Sequence, residues 1–159
     1  MVETVDHLHL VDVAILNALQ EDGRMVYADL ARHAGMSDSA CLRRVKQLEA
    51  KGIIERYGAF VDQKAVGLPL NVFLTVTLTS QAEHALREFE ADIASVAEVM
   101  ECFLMTGTAD YLIRLVARDV DDLESLHARK LTRLKHVARV TSSIAMRQVV
   151  KRSRLPLRP

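Results

Sequence analysis

The side chains best suited to binding chemistry in this sequence are hydroxyls and cations spaced along one predicted helix. Ser37 is placed to cap the amino end, and Gly52 stands where helices end in the left-handed conformation, so we predict a helix of about four turns. An apolar stripe predicts its buried face and runs through Cys41 or Leu42, Val45, Leu48 and Ile53. The polar side chains lie off that stripe and carry donors suited to DNA: Ser39, Arg43, Arg44, Lys46 and Gln47.

Two shorter helices must position this basic helix. Apolar residues at helical spacing predict a first helix over residues 10–20, with Gly23 as its stop, and a second over residues 27–34 that closes at Gly35. This order is typical of a helix-turn-helix, whose last helix enters the major groove. A small β wing is predicted next, from Ile53, Ile54, Tyr57, Ala59 and Phe60. The alternative is a three-helix bundle with a solvated basic face.

Length and composition restrict the class of protein. The 159 residues suffice for one large or two small domains, and half of them are hydrophobic, which predicts a globular chain. No apolar run approaches the roughly 18 residues of a membrane span, and the first six residues lack a signal-peptide pattern. We therefore expect a soluble cytoplasmic protein. Cys41 and Cys102 have no metal-ligand spacing around them, and both are interpreted as core thiols.

The formal net charge of zero hides an uneven distribution. Residues 1–62 hold 7 basic and 10 acidic side chains, residues 63–126 hold 4 and 11, and residues 127–159 hold 10 and none. The cationic last third could contact phosphates or pair with the acidic middle of a neighbouring subunit. DNA affinity of the first segment must depend on a local cluster of cations, namely Arg43, Arg44, Lys46, Lys51 and Arg56.

The second half of the chain has the pattern of an α+β domain. Residues 71–79 alternate between apolar and polar faces, residues 82–93 return to helical spacing, and residues 99–106 and 111–116 predict two strands. A helix over residues 121–134 and a strand over 137–146 complete the order βαββαβ, that of a ferredoxin-like fold. We predict a winged helix-turn-helix over residues 1–61, a linker over 62–70, and a ferredoxin-like domain over 71–159.

In both halves the sequence resembles the Lrp/AsnC, or feast/famine, transcriptional regulators. The matching motifs of the first half are Asp12 with Ile15-Leu16, Leu19 to Arg24, Leu30-Ala31, Ser37, Cys41 to Val45, Leu48-Glu49 and Lys51 to Ile54. Those of the second half are Val99 to Cys102, Thr106-Gly107, Asp110 to Leu112, Val150-Lys151 and Leu155 to Leu157. Each motif is short, but their order and spacing together are specific.

The resemblance implies a DNA-binding domain followed by an effector-sensing RAM domain. Family members dimerise by pairing their sheets, commonly assemble into octamers, and bind an amino-acid effector between dimers. Transferred by position, the effector-binding residues are Leu104, Gly107, Asp110, Val120, Ile144, Ala145 and Met146. Asp110 could accept from an α-ammonium group, and the apolar neighbours favour a neutral or apolar side chain. The alternative is that Gly107 and Asp110 only shape a turn and that Leu104, Val120 and Ile144 are ordinary core.

Four departures from the family pattern affect local structure. His9 and Val26 stand where the first two helices usually have a capping residue, so both helices lose a strong cap. Asp38 and Ala40 replace prolines that commonly flank the turn before the recognition helix. Lys135-His136 replaces a Pro-Gly turn before the last strand, which leaves the conformation of that loop open.

The predicted mechanism assigns DNA contacts to one set of residues: Ser37, Ser39, Arg43, Arg44, Lys46 and Arg56. We find no catalytic arrangement, metal site or cofactor motif. The leading alternative is a siroheme-decarboxylase-like enzyme of similar architecture, but the six histidines form no recognisable ligand pair on the predicted sheet. A nucleoid-like architectural protein with little effector response would have much the same sequence.

Overall fold

A computed structural model describes residues 8–158 and divides the chain into two compact units. One unit extends to Phe60 and also includes the segment that starts at Val150, while the other spans Val61–Val149. The segment after Val149, which the sequence analysis assigned to the second domain, therefore groups with the first unit. Among the described residues, no helix is both long enough and apolar enough to cross a bilayer.

The first unit contains three helices: α1 (Leu10–Glu21), α2 (Tyr27–Ala34) and α3 (Asp38–Ala50). Their apolar faces form one core around the fully buried Ile15, Leu30 and Cys41. The amino end of α1 is not left uncapped, because the carboxylate of Asp12 accepts from the backbone N–H of His9 at 3.2 Å. Val26 provides no side-chain cap for α2, as its type predicts.

The predicted β wing is wrong in its secondary structure. Residues 55–60 form no strand, and the described part of the first unit contains no β ladder. Ile53 and Ile54 pack against the helical core instead, and the hydroxyl of Tyr57 donates to Glu49 at 2.9 Å. A strand needs a partner for its backbone groups, and within residues 8–158 the segment 55–60 pairs with no other strand.

The carboxyl-terminal tail of the chain, residues 150–158, lies against α1. The side-chain amide of Gln20 makes two hydrogen bonds with the backbone of Leu155, accepting from its N–H at 2.6 Å and donating to its carbonyl at 3.4 Å. Leu157 packs on the helical core, and Arg154 lies 3.8 Å from Glu21. The tail therefore completes the first unit rather than extending the second.

The second unit has the predicted order βαββαβ. Its elements are β1 (Leu70–Leu78), α4 (Glu83–Ala94), β2 (Val99–Leu104), β3 (Tyr111–Ala117), α5 (Val120–Arg129), a 3₁₀ turn (Leu131–Arg133) and β4 (Val137–Ile144). The four strands form one antiparallel sheet in the order β2-β3-β1-β4, which confirms the ferredoxin-like arrangement. Alternation along β1 buries Val72, Leu74 and Val76 in the core that α4 and α5 cover.

The second predicted helix of this unit is shorter than expected. It ends at Arg129, and a 3₁₀ turn follows that buries Leu131 and Leu134, two residues whose i, i+3 spacing suits that geometry. The loop before β4 places His136 in the left-handed region at φ 61°. Cys102 is exposed rather than a core thiol, because β2 is an edge strand, whereas Cys41 is buried as predicted.

Candidate functional site

The exposed face of α3 holds most of the residues predicted to contact DNA. Ser37 caps the helix, its hydroxyl accepting from the backbone N–H of Ala40 at 3.4 Å. A shallow depression of about 450 Å³ runs along the helix. It is lined by Ser39, Leu42, Arg43, Lys46, Gln47 and Ala50. The structure therefore brings the predicted hydroxyls and two of the predicted cations to one side of one helix.

Arg44 differs from its neighbours on α3, because its guanidinium is paired inside the first unit. Its guanidinium makes two hydrogen bonds to the carboxylate of Asp12 on α1, with Nε 2.5 Å from Oδ1 and Nη2 2.7 Å from Oδ2. Nη1 donates to the side-chain carbonyl of Gln47 at 3.2 Å. Three of the five guanidinium donors are thus used inside the unit, which leaves Arg44 poorly placed to reach a base or phosphate.

Burial makes the Asp12–Arg44 pair a structural element. The side chain of Asp12 is 4% exposed and that of Arg44 is 30% exposed. The hydrogen bonds from Arg44 hold the pKa of Asp12 below its usual range, and the same contacts raise the pKa of Arg44. Both groups stay charged, so the pair joins α1 to the recognition helix with fixed, bidentate geometry.

The other cations of the first unit are better placed for DNA. Arg43, Lys46 and Arg56 are exposed, and within residues 8–158 none of the three forms an ion pair. Arg56 lies in the extended segment after α3 rather than in a β wing. Two cations of the last third, for which the sequence left phosphate contact and pairing with a neighbouring subunit open, are paired within the second unit. Lys130 lies 2.7 Å from Glu98, and Lys135 lies 3.6 Å from Glu88.

The residues predicted to bind the effector fall into two groups at opposite corners of the sheet. Leu104 pairs with Tyr111 at one end, next to the loop that contains Gly107. Ile144 pairs with Val72 on the other edge strand and at the other end of the sheet. Strand geometry separates these corners by about 13 Å along the strands and about 14 Å across them. One chain alone therefore does not close a pocket around both groups.

The apolar side chains of the predicted set are exposed. Leu104 at the first corner is 60% exposed, and Ile144 and Met146 at the second are 45% and 101% exposed. Val120 begins α5, just after β3, and is 61% exposed. The alternative that Leu104, Val120 and Ile144 are ordinary core is wrong. Ala145 is half-buried, and its N–H donates to the carbonyl of Asn71 at 2.9 Å.

Asp110 does not have the free carboxylate that an α-ammonium group requires. Its side chain is buried, and Oδ2 accepts from the backbone N–H of Leu78 at 2.7 Å. Oδ1 accepts from the side-chain amide of Gln81 at 2.7 Å. The structure therefore places Asp110 as a brace between β1 and the loop before β3, in agreement with the alternative of a turn-shaping residue.

Two residues in these networks were not assigned a role by the sequence analysis. Asp12 and Gln81 each contact a predicted site residue, and each lies about 30 positions from it in sequence. An acidic residue at the third position of a helix that lacks a capping residue was a usable signal for Asp12. Within residues 8–158 no three His, Cys, Asp or Glu side chains are grouped so that they could hold a metal ion.

Comparison with known families accounts for both units. Residues 8–55 match the family model described as winged helix-turn-helix DNA-binding, and residues 71–155 match the Lrp/AsnC ligand binding domain. The chain belongs to the Lrp/AsnC family. Both matches confirm the resemblance inferred from the motifs, and the chain is thus a DNA-binding transcriptional regulator with an Lrp/AsnC ligand-binding domain.

Individual Lrp/AsnC proteins are similar along almost their whole length. The Bkd operon transcriptional regulator of Pseudomonas aeruginosa is 38% identical over 150 residues, covering 94% of this chain and 98% of that protein. The leucine-responsive regulatory protein of Haemophilus influenzae is 33% identical over 151 residues, covering 95% and 91%. Both relatives carry the names of regulatory proteins.

Solved structures share the fold. A transcriptional regulator from Neisseria meningitidis, in complex with L-Met, has a TM-score of 0.88 at 33% identity and covers 94% of this chain, with 97% of its own length matched. AsnC from E. coli has a TM-score of 0.85 at 26% identity, with 92% of this chain and 97% of that one covered. These likenesses confirm the predicted α+β architecture of a helix-turn-helix and an Lrp-type domain.

Proposed function

We propose that this Lrp/AsnC regulator contacts DNA through the free side chains of α3 and the segment that follows it. The residues are Ser37, Ser39, Arg43, Lys46 and Arg56, without Arg44. The observation that carries this proposal is the depression along α3, where exposed donors lie on one side of the helix while Arg44 is held by Asp12. Hydroxyls and cations of this kind bind phosphates and base edges in the major groove.

A homodimer would present two such helices to a pseudo-palindromic site. The sheet face opposite the helices supports dimerisation, because it exposes Phe73 and Phe103 beside Leu112. Pairing of two such faces would remove these aromatic side chains from water. Two recognition helices would then address half-sites about one helical turn, or a multiple of it, apart.

The effector is a neutral or apolar amino acid that binds between chains. Support comes from the two exposed apolar corners of the sheet, which one chain does not bring together, and from the N. meningitidis regulator, whose structure holds L-Met. A pocket formed when the Leu104 corner of one copy meets the Ile144 corner of another would enclose an apolar side chain. Loop amides near Gly107 would donate to the α-carboxylate. Such a site requires assembly beyond a single chain, up to the octamer common in the family.

Binding between copies links the effector to DNA occupancy. A ligand changes an equilibrium only by its difference in affinity for the two states. An amino acid that binds only where two corners meet favours the assembly in which they meet. The assembly state then determines the spacing of the recognition helices, and this spacing determines the affinity for DNA.

The first experiment measures binding of the purified protein to its own upstream DNA at one stated salt concentration, with each of the twenty amino acids. We expect sequence-preferring binding that shifts with one or a few apolar amino acids, such as methionine or leucine. Sedimentation with and without that amino acid gives the assembly. An absence of DNA binding, together with a visible tetrapyrrole absorption band, would contradict this function.

A mixing experiment tests whether the pocket belongs to two copies. Leu104→Asp places a charge at the first corner and Ile144→Asp places one at the second, so each variant alone should fail to bind the effector. In co-expressed mixtures, random pairing leaves about a quarter of two-copy sites with both corners intact. Recovery of binding in the mixture is the expected result. A mixture as inactive as either variant alone would show that one copy supplies the whole pocket.

A further inference from the structure

The side chain of Gln47 on α3 has a defined orientation that its neighbours on the same face lack. Its carbonyl oxygen accepts from Nη1 of Arg44 at 3.2 Å, whereas the residue is exposed and lines the depression along the helix. A glutamine on a surface normally rotates freely about its terminal bond. Here one end of the amide is held from inside the unit.

The identity of the held end follows from the chemistry of arginine. A guanidinium has five donors and no acceptor, so the Gln47 atom that it contacts must be the oxygen. The amide nitrogen, with its two N–H donors, is then turned away from Arg44. Gln47 is therefore fixed as a donor, although a free glutamine can act as donor or acceptor.

The support behind Gln47 is rigid. Arg44 is held by two hydrogen bonds to Asp12, and Asp12 is itself buried at the amino end of α1, where it also accepts from the backbone of His9. The chain of contacts runs from the backbone of α1 to the exposed amide. An oriented donor loses less side-chain entropy on binding and distinguishes acceptors from donors at a base edge.

We propose that Gln47 is a specificity-determining residue of this regulator and that the Asp12–Arg44 pair is its positioning device. The inference rests on the proposed function of α3 as the recognition helix. In the major groove, N7 and O6 of guanine, N7 of adenine and O4 of thymine are acceptors, whereas N4 of cytosine is a donor. The Gln47 amide donates to one of these acceptors. Arg44 makes no contact with DNA.

The test compares the base preferences of the full-length wild type with those of three variants, Gln47→Met, Gln47→Glu and Arg44→Met. Each new side chain is similar in length to the one that it replaces. Every base pair of a bound site is replaced in turn, and affinity is measured at several salt concentrations. Gln47→Met removes the donor, so preference at one base pair should fall about tenfold. The dependence of affinity on salt should stay unchanged, because no phosphate contact is lost.

Gln47→Glu provides the decisive comparison. A carboxylate keeps the contact with Arg44 but offers only acceptors to the groove, so preference at the same base pair should move toward cytosine. A merely structural role for Gln47 gives no such reversal. Arg44→Met should broaden the preference at this base pair without changing the salt dependence, because the freed amide can rotate. If Arg44→Met does not fold, the two Gln47 variants still decide the matter.

Two results would overturn the proposal. One is a base preference that is clear in the wild type and unchanged in both Gln47 variants. That result would leave the proposed function intact. The other is a fall of about one in the salt slope on Arg44→Met, the loss that a phosphate contact gives. A wild type that binds DNA without any base preference would overturn the proposed function, and this assignment with it.

Discussion

The proposed DNA-contacting face and the predicted effector site differ in how many chains each one needs. The residues of the proposed DNA-contacting face all lie in one chain, on α3 or next to it, and their buried support lies in the same unit. The effector residues lie at opposite corners of the sheet, about 19 Å apart by strand geometry. A helix alone brings together residues that are three and four positions apart, so one chain suffices to form such a face. A pocket between copies forms only when two chains meet.

The polar groups of the two sites also differ in what they are free to do. At α3, Arg44 and the buried carboxylate of Asp12 on α1 are used as support, and the exposed donors of Arg43 and Lys46 are left free. On the sheet, Asp110 is used as support and no exposed carboxylate replaces it in the predicted set. For the proposed effector site, this difference predicts recognition mainly by apolar contact and backbone amides.

Replacement of Arg44 should have the largest effect on stability. Arg44→Met leaves the Asp12 carboxylate buried without its partner, and removal of one member of a buried pair costs about 3 kcal/mol. The adjacent and exposed Arg43 is the matched control, since Arg43→Met should change stability by less than about 0.5 kcal/mol. Amide hydrogen exchange of α1 and α3 measures the first unit separately from the sheet. Equal protection in the two variants would contradict a supporting role for Arg44.

Asp110 gives the corresponding test in the second unit. Asp110→Ala leaves the N–H of Leu78 without a partner in a buried position, which should cost about 2 kcal/mol. Asp110→Asn keeps an oxygen for Leu78 and, after rotation of the Gln81 amide, a partner for that side chain as well. It should therefore fold like the wild type and still bind the effector. A stable Asp110→Asn protein that does not bind the effector would show that the carboxylate of Asp110 takes part in effector binding.

The sequence predicted best those features that are encoded within one helix or strand. Ser37 and Gly52 marked the ends of α3 through cap geometry, and alternation from Val72 to Leu78 marked the buried face of β1. The pairing of Arg44 was missed because its partner, Asp12, lies 32 residues away and a sequence pattern gives no distance between them. Cys102 was assigned to the core because the pattern does not show which strand lies at an edge.

Acid should weaken the first unit through Asp12. The pKa of this carboxyl is lowered in the folded chain by Arg44, so its contribution to stability is complete above the unfolded value of about 4. It is lost as pH falls through the lower, folded pKa. The loss should be smaller than in Arg44→Met, because a protonated Asp12 can still accept from Arg44.

Asp12→Asn provides the comparison for this pH effect. Wild type should be more stable than Asp12→Asn above pH 4, and the difference should shrink in stronger acid. The measurement must follow α1 and α3 alone, because Glu98 and Asp122 in the second unit also have lowered pKa values. A stability difference that does not depend on pH would mean that the charge of Asp12 contributes nothing.

The smallest effect expected is a gain, at the uncapped end of α2. Val26 stands at the N-cap position with extended backbone angles of φ −72° and ψ 148°, which a threonine adopts readily. Val26→Thr supplies an oxygen to a free N–H of the first turn and should stabilise α2 by about 0.5 to 1 kcal/mol. Val26→Ala is the control, because it removes both γ-methyl groups, including the one that threonine replaces with a hydroxyl, without adding a cap. Slower amide exchange across α2 in the threonine variant alone would show that the first unit lacks a stabilising N-cap at this helix. Equal exchange in both variants would show that Asp29, in the first turn of α2, already compensates for the missing cap.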